Sequence, residues 1–353
     1  MDGEHTDPAD RARALRERAL ESPTAVDVDE IRSLLADPTM PASVHEDAVT
    51  ALLDVARSEQ SVGGEFAELV APLLGRPALD ADPLLLRCLR ALATESPTAV
   101  LEHRDAIVDR VTVEDDETTQ AATGCCVELV ATDPGAFIDI VPTLSALLDA
   151  DDPTRTNALY ILSQLALGYP EEVRPVVPQL LDGISDRETA YQTNALSALG
   201  AIASAYPAAA LDAVEELTAL AASEQAGVRG NAVGLLADVA QEHPDSMTEA
   251  VDVMIERLDD EDEYVRGNAV SAVLHVGLER PDAIREARDG LRERLDDPAP
   301  IVQKQRLQSR CRPRTRRSAG PTRTARSRRS ERKRPRTRHL GTRTTRLVVT
   351  GAS

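Results

Sequence analysis

The chain lacks tryptophan altogether and has only two phenylalanines and five tyrosines. Its core must therefore be built from Ala, Leu, Val and Ile, which suits closely packed helices. Lysine is almost missing: Lys304 and Lys333 are the only two. No run of roughly 18 apolar residues exists, so no helix is expected to span a membrane. The first residues, Met1 to His5, have no basic segment followed by an apolar one, so no signal peptide is expected. Four cysteines in a chain of 353 residues make no disulfide framework. There is no CxxC pair and no histidine at ligand spacing, and GxSxG, a glycine-rich phosphate loop and HExxH are all missing. No catalytic residue, cofactor or metal site is expected.

What is present in excess is acid. The net charge of −20 hides a split: residues 301–353 hold 18 basic residues and one acid, Glu331. Residues 1–300 hold 22 basic residues, all Arg, against 59 acids, for a charge of −37. At molar salt the Debye length falls to about 3 Å, which screens the self-repulsion of such a surface. A long acidic segment without lysine resembles proteins of halophilic archaea, and a cytoplasmic location is expected.

The second excess is repetition. Pro97, Pro134, Pro170, Pro207, Pro244 and Pro281 recur at intervals of 36 or 37 residues. Asn-Ala recurs every 37 residues at Asn157, Asn194, Asn231 and Asn268, and Val228-Arg-Gly-Asn-Ala-Val233 returns unchanged as Val265 to Val270. Several independent markers with one period indicate an array of repeats. Each unit has two apolar segments at helical spacing. In one unit these are Ala250 to Leu258 and, after an acidic turn, Tyr264 to Glu279. Helices of roughly 15 residues are marginal alone and need neighbours on which to bury their stripes.

The unit resembles the HEAT family: an apolar helix, an Asp-rich turn, then Val-Arg-x-x-Ala. Here that is Leu258-Asp-Asp-Glu-Asp-Glu-Tyr-Val-Arg266, continuing to Ala269. The likeness covers residues 24–300, with departures at Gln192 and Thr118 in the Arg column. It implies an all-α, right-handed α-solenoid of about eight stacked helix pairs over residues 8–300. It also implies first helices on the convex side, second helices lining the concave side, and a protein-binding role.

The candidate site residues lie in two columns. Asn157, Asn194, Asn231 and Asn268 form the most regular polar feature. Asn231 falls in the stripe of Val228, Ala232, Leu235 and Val239, so it is expected to point inward as part of a structural ladder. In the related armadillo repeats the peptide-binding Asn lies later in the helix, where this chain has Gln164, Ala201, Asp238 and His275, so that mechanism is not supported. Arg155, Arg229 and Arg266 are expected to pair with turn acids such as Asp151, Asp152, Asp259 or Asp260. Cys88 and Cys125 are equivalent to Leu162, Leu199 and Leu236, a core column, while Cys126 should lie on another face.

Beyond Val302 the chain becomes Arg-rich. A basic segment could bind nucleic acid, which residues 1–300 with their charge of −37 should not. The register favours a shifted reading frame near residues 303–304. One period after Asn268-Ala269 stand Gln305-Arg306. If Lys304-Gln-Arg306 is encoded AAG-CAA-CGC, reading one base later returns Ser-Asn-Ala, with the expected pair in its place. The expected organisation is a disordered 1–7, a solenoid 8–300 and an Arg-rich tail 301–353. The expected function is a scaffold that binds an unknown protein partner. The alternatives are a nucleic-acid-associated protein and a HEAT-like lyase.

The charge generates a first prediction. Circular dichroism of the protein should show full helix in molar KCl and substantial loss in dilute buffer. A melting temperature indifferent to salt would remove the halophile argument.

Overall fold

A computed structural model describes residues 7–302, apart from 38, 59–62, 78, 113–114, 151, 183, 185–186 and 301. The proposed disordered N-terminus (1–6 of it) and the tail beyond 302 lie outside the described residues. Among the described residues every regular element is helical. The backbone of the architecture is a row of long helices: Pro8–Glu21, Ala42–Ala56, Asp82–Glu95, Asp116–Val130, Asp152–Gly168, Thr189–Ala205, Ala226–Glu242 and Glu263–Glu279. Each packs against the next in chain order. Shorter helical segments connect them and cover one side of the row. The result is a single α-solenoid in which contacts run between neighbouring units. Among the described residues it holds seven complete pairs, preceded by the Pro8–Glu21 helix and followed by a short helix, Arg288–Glu293.

The repeated prolines explain where the long helices stop. A residue preceding proline is pushed out of the helical region by contact with the pyrrolidine ring. Ser96, Tyr206, His243 and Arg280, each followed by proline, sit at φ between −136° and −131° with ψ between 57° and 73°. The helix before each therefore ends there, and the proline opens the next segment, where its missing N–H is no loss. At the other end, Asp262 accepts the amides of Tyr264 and Val265, and Asp115 accepts that of Glu117. These side chains satisfy donors that the first turn leaves open.

The first segment of each unit departs from a continuous helix. The stretch expected as Ala250 to Leu258 is an α-helix, Val251–Glu256, followed by a 3-10 turn, Arg257–Asp259. Pro207–Ala213 is entirely 3-10 before the helix Val214–Leu220. In the units with Pro142, Pro175 and Pro178, the missing amides explain part of the break. The last such segment is likewise short, Arg288–Glu293 with a 3-10 turn to Asp296.

The core runs along the inner stripe of the long helices. Ala158, Ala195, Ala232 and Ala269 are each 0% exposed, and Leu162, Leu199, Leu236 and Val273 are at most 1% exposed. Small Ala at one column lets adjacent helices approach, and the larger residues fill the next layer. Cys88 and Cys125 are fully buried in the Leu column, as their spacing requires. Cys126 is fully buried too, so the face it occupies is a second buried face rather than a surface. Burial pushes the Cys126 thiol up to about 12 and raises those of Cys88 and Cys125 as well. Such thiols pack as small apolar groups and are inert. Cys88→Leu and Cys125→Leu should each change the unfolding free energy by less than ~1.5 kcal/mol, measured by denaturant melts in molar KCl.

Candidate functional site

Two of the three candidate arginines act between units. Arg229 grips Asp260 of the next unit with two parallel bonds, Nε to Oδ2 at 2.9 Å and Nη2 to Oδ1 at 3.0 Å. Its Nη1 donates to the carbonyls of Ser223 and Glu224, in the turn before its own helix, at 2.9 and 2.8 Å. Arg266 repeats the arrangement. It binds Asp297 at 3.0 and 3.3 Å and the carbonyls of Asp260 and Glu261 at 2.8 and 3.0 Å. Asp260 thus takes Arg229 on its carboxylate and Arg266 on its carbonyl, which links three successive units. Both pairs are shielded: the side chains are 7% and 3% exposed for Arg229 and Asp260, and 13% and 1% for Arg266 and Asp297.

The turn acids are therefore partners across the repeat boundary. Asp260 was among the expected partners; Asp297 was not. The signal was present as a constant spacing. Arg229 to Asp260 and Arg266 to Asp297 are both 31 residues apart. Where the Arg column departs, at Gln192, the residue 31 positions on is Ser223 rather than Asp. Gln192 instead donates Nε2 to the carbonyl of Ile184 at 3.1 Å. Arg155 donates to the carbonyl of Ala150, in its own turn, at 3.2 Å. Its counterpart at the same spacing, Asp186, lies outside the described residues, as does Asp151.

The asparagine column also reaches across the boundary, backwards. Asn157 Nδ2 donates to Thr123 Oγ1 at 3.1 Å, and Asn268 Nδ2 donates to the carbonyl of Gly230 at 2.9 Å. A Cβ on Gly234 would lie 3.0 Å from that Asn268 nitrogen, so the glycine makes room for it. All four asparagines are half-buried rather than inside the core, Asn231 included. They stand where the buried seam between two long helices meets the solvent-facing side of the row.

That face is the remaining candidate surface. On Thr189–Ala205 it carries Asn194, Ser197, Ala201 and Ser204, and on Ala226–Glu242 it carries Asn231, Gly234, Asp238 and Gln241. These side chains are small or polar and none is fully buried. Larger exposed groups flank them: Leu167 at 57%, Tyr264 at 42% and Leu278 at 67%. A Cβ at Gly200 or Gly227 would meet nothing within 4 Å, so both positions open onto free space. Among the described residues no group of three His, Cys, Asp or Glu side chains is placed to hold a metal ion. No helix among them is long and apolar enough to cross a membrane.

The Arg–Asp clasps have an acid-side consequence. Burial works to raise the Asp260 and Asp297 pKa values, but the hydrogen bonds and charges of Arg229 and Arg266 outweigh it and hold both below the usual range. A carboxylate whose folded pKa is depressed contributes stability above its unfolded value, about 4, and that contribution is lost as pH falls through the lower folded value. Asp260→Ala should cost about 3 kcal/mol at neutral pH, because it strands a shielded guanidinium. It should also flatten the acid limb of the stability curve below about pH 4, followed by denaturant melts at fixed KCl.

The HEAT-repeat family model matches residues 177–273 and 214–309. No curated protein matches the chain. Among solved structures, a chain from work on a conserved phosphorylation switch controlling the interaction between cadherin and beta-catenin superposes with a TM-score of 0.70. It is 14% identical and the match covers 86% of this chain and 66% of that one. A crystal structure of an engineered protein matches with a TM-score of 0.48 and 20% identity, covering 71% of this chain and 97% of that one. At 14% identity, the match with a TM-score of 0.70 shows a shared fold alone. Residues 177–309 match the HEAT-repeat model, and the described residues have the α-solenoid architecture of HEAT and armadillo proteins.

Proposed function

We propose that the protein is a non-catalytic scaffold in a salt-rich cytoplasm, and that it binds another protein along the concave face of its row of long helices. The observation that carries this reading is the face spanning Thr189–Ala205 and Ala226–Glu242. It is extended, continuous across units and lined by short side chains, so a partner's backbone can approach closely. Its amides and hydroxyls offer hydrogen bonds, and the exposed Leu167, Tyr264 and Leu278 at its margins offer apolar contacts of the kind that anchor protein interfaces. The charge of −37 over residues 1–300 opposes a nucleic-acid role for this part of the chain.

The test fills the face without disturbing the stack. Gly200→Arg with Gly227→Arg places two bulky side chains where each Cβ meets open space. The double variant should melt within about 1 kcal/mol of the parent: replacing the mid-helix Gly200 is favourable, and an Arg at Gly227, the second residue of its helix, opposes the helix dipole only weakly. Affinity capture in molar KCl should recover a partner with the parent chain and lose it with the variant. Equal capture by both would place the binding surface elsewhere.

A further inference from the structure

The repeat stays on schedule to the last described residue. Asp297 is clasped by Arg266 as Asp260 is by Arg229. Its carboxylate also accepts the amide of Ala299 at 2.9 Å. Val302 is 0% exposed, like Val265 one period earlier. A ninth unit therefore begins normally: its first helix is in place and its second helix should start at residue 300, one period after Glu263.

Among the described residues, nothing covers the first segment of that unit as the earlier ones are covered. Leu295 is 43% exposed, whereas its equivalents Leu258, Ala221 and Ile184 are at most 1% exposed. Leu291 and Ile284 are half-buried, whereas Met254, Leu217 and Leu180, and Met247, Ala210 and Val173, are at most 1% exposed. In each earlier unit the long second helix packs against its own first segment. The sequence after Val302 cannot supply such a helix. Arg306, Arg310 and Pro313 fall on the columns of Ala269, Val273 and Val276, all 0% exposed. Two arginines would be buried without carboxylates, and the proline would interrupt the helix.

We infer that the open apolar face of Ile284, Leu291 and Leu295 is the seat of a ninth second helix, an amphipathic segment with an Ala/Leu/Val stripe, and that the coding register beyond residue 303 is displaced from it. Asp297 and Val302 already keep the period, and if Lys304-Gln-Arg306 is encoded AAG-CAA-CGC the shifted frame returns Asn-Ala where the period demands it, so the occupant is a continuation of the same array. A second copy of the chain fits less well. Three side chains along one short segment fall far short of the ~800 Å² per partner of a stable interface.

The experiment grafts the helix onto the full chain. Residues 303–316 are replaced by the sequence of residues 266–279, with a scrambled graft of equal composition as control. Hydrogen exchange over residues 284–295 should slow at least tenfold with the graft and not with the scramble, and the melting temperature should rise only with the graft. Leu291→Arg with Leu295→Arg alters exposed or half-exposed sites and so should leave the parent folded. Combined with the graft, it should abolish the protection. Equal protection by graft and scramble would overturn the inference. So would protection of 284–295 in the unaltered chain, whether by its own residues or, if the protection rises with concentration alongside the molecular mass, by a second copy.

Discussion

Everything in this molecule depends on mutual cover. A helix such as Ala226–Glu242 has buried residues almost all the way round it: Val228, Gly230, Ala232, Val233, Leu235, Leu236, Val239 and Ala240. Such a helix cannot stand alone in water and cannot be satisfied by one neighbour. It needs the preceding long helix on one side, the following one on the other, and its own short segment beneath. The repeat is the sequence-level answer to that requirement, and the same requirement makes the end of the stack informative. Where cover stops, Leu295 is exposed in a column that is otherwise buried.

Apolar cover is not directional, and helices with Ala-rich stripes could slide against each other. The polar contacts set the register. Arg229 and Arg266 hold the carboxylate of the following turn in a two-point grip while fixing the turn before their own helix. Asn157 and Asn268 tie backwards to the preceding helix. Buried charge pairs add little net stability because both ions lose water, but they are costly to misalign, and that suits a register device. The early units solve the problem differently. Arg16–Asp47, Arg87–Glu117 and Arg90–Glu128 bridge successive long helices on the exposed side. Such surface pairs are weak and screened by salt, so the later units are the more tightly specified part of the stack.

The same economy shapes the candidate binding face. With long side chains committed to seams and turns, the face between Asn194 and Gln241 is left to Ser, Ala, Gly and Asn. Under the proposed scaffold role, recognition runs through this extended, backbone-accessible surface.

Read alone, the sequence determined the all-helical class, the 37-residue period, the one long helix it bounded, Tyr264 to Glu279, to within a residue, and the core columns. All of these follow from local chemistry: apolar spacing, a proline that expels the preceding residue from the helical region, and an Asp that caps the next turn. Composition also determined the absence of an aromatic core. The tertiary structure decided matters that depend on neighbours one unit away. It broke the first segments into 3-10 turns and short helices, which apolar spacing alone does not distinguish from a continuous helix. It placed Cys126 in the interior, because that side of the helix is covered by another element. It sent Arg266 forward to Asp297 rather than to its own turn acids, because the guanidinium reaches the next turn only when two units are stacked. And it kept Asn231 at the rim of a seam rather than inside it, because whether a residue on the stripe's edge is buried depends on how closely the next helix approaches.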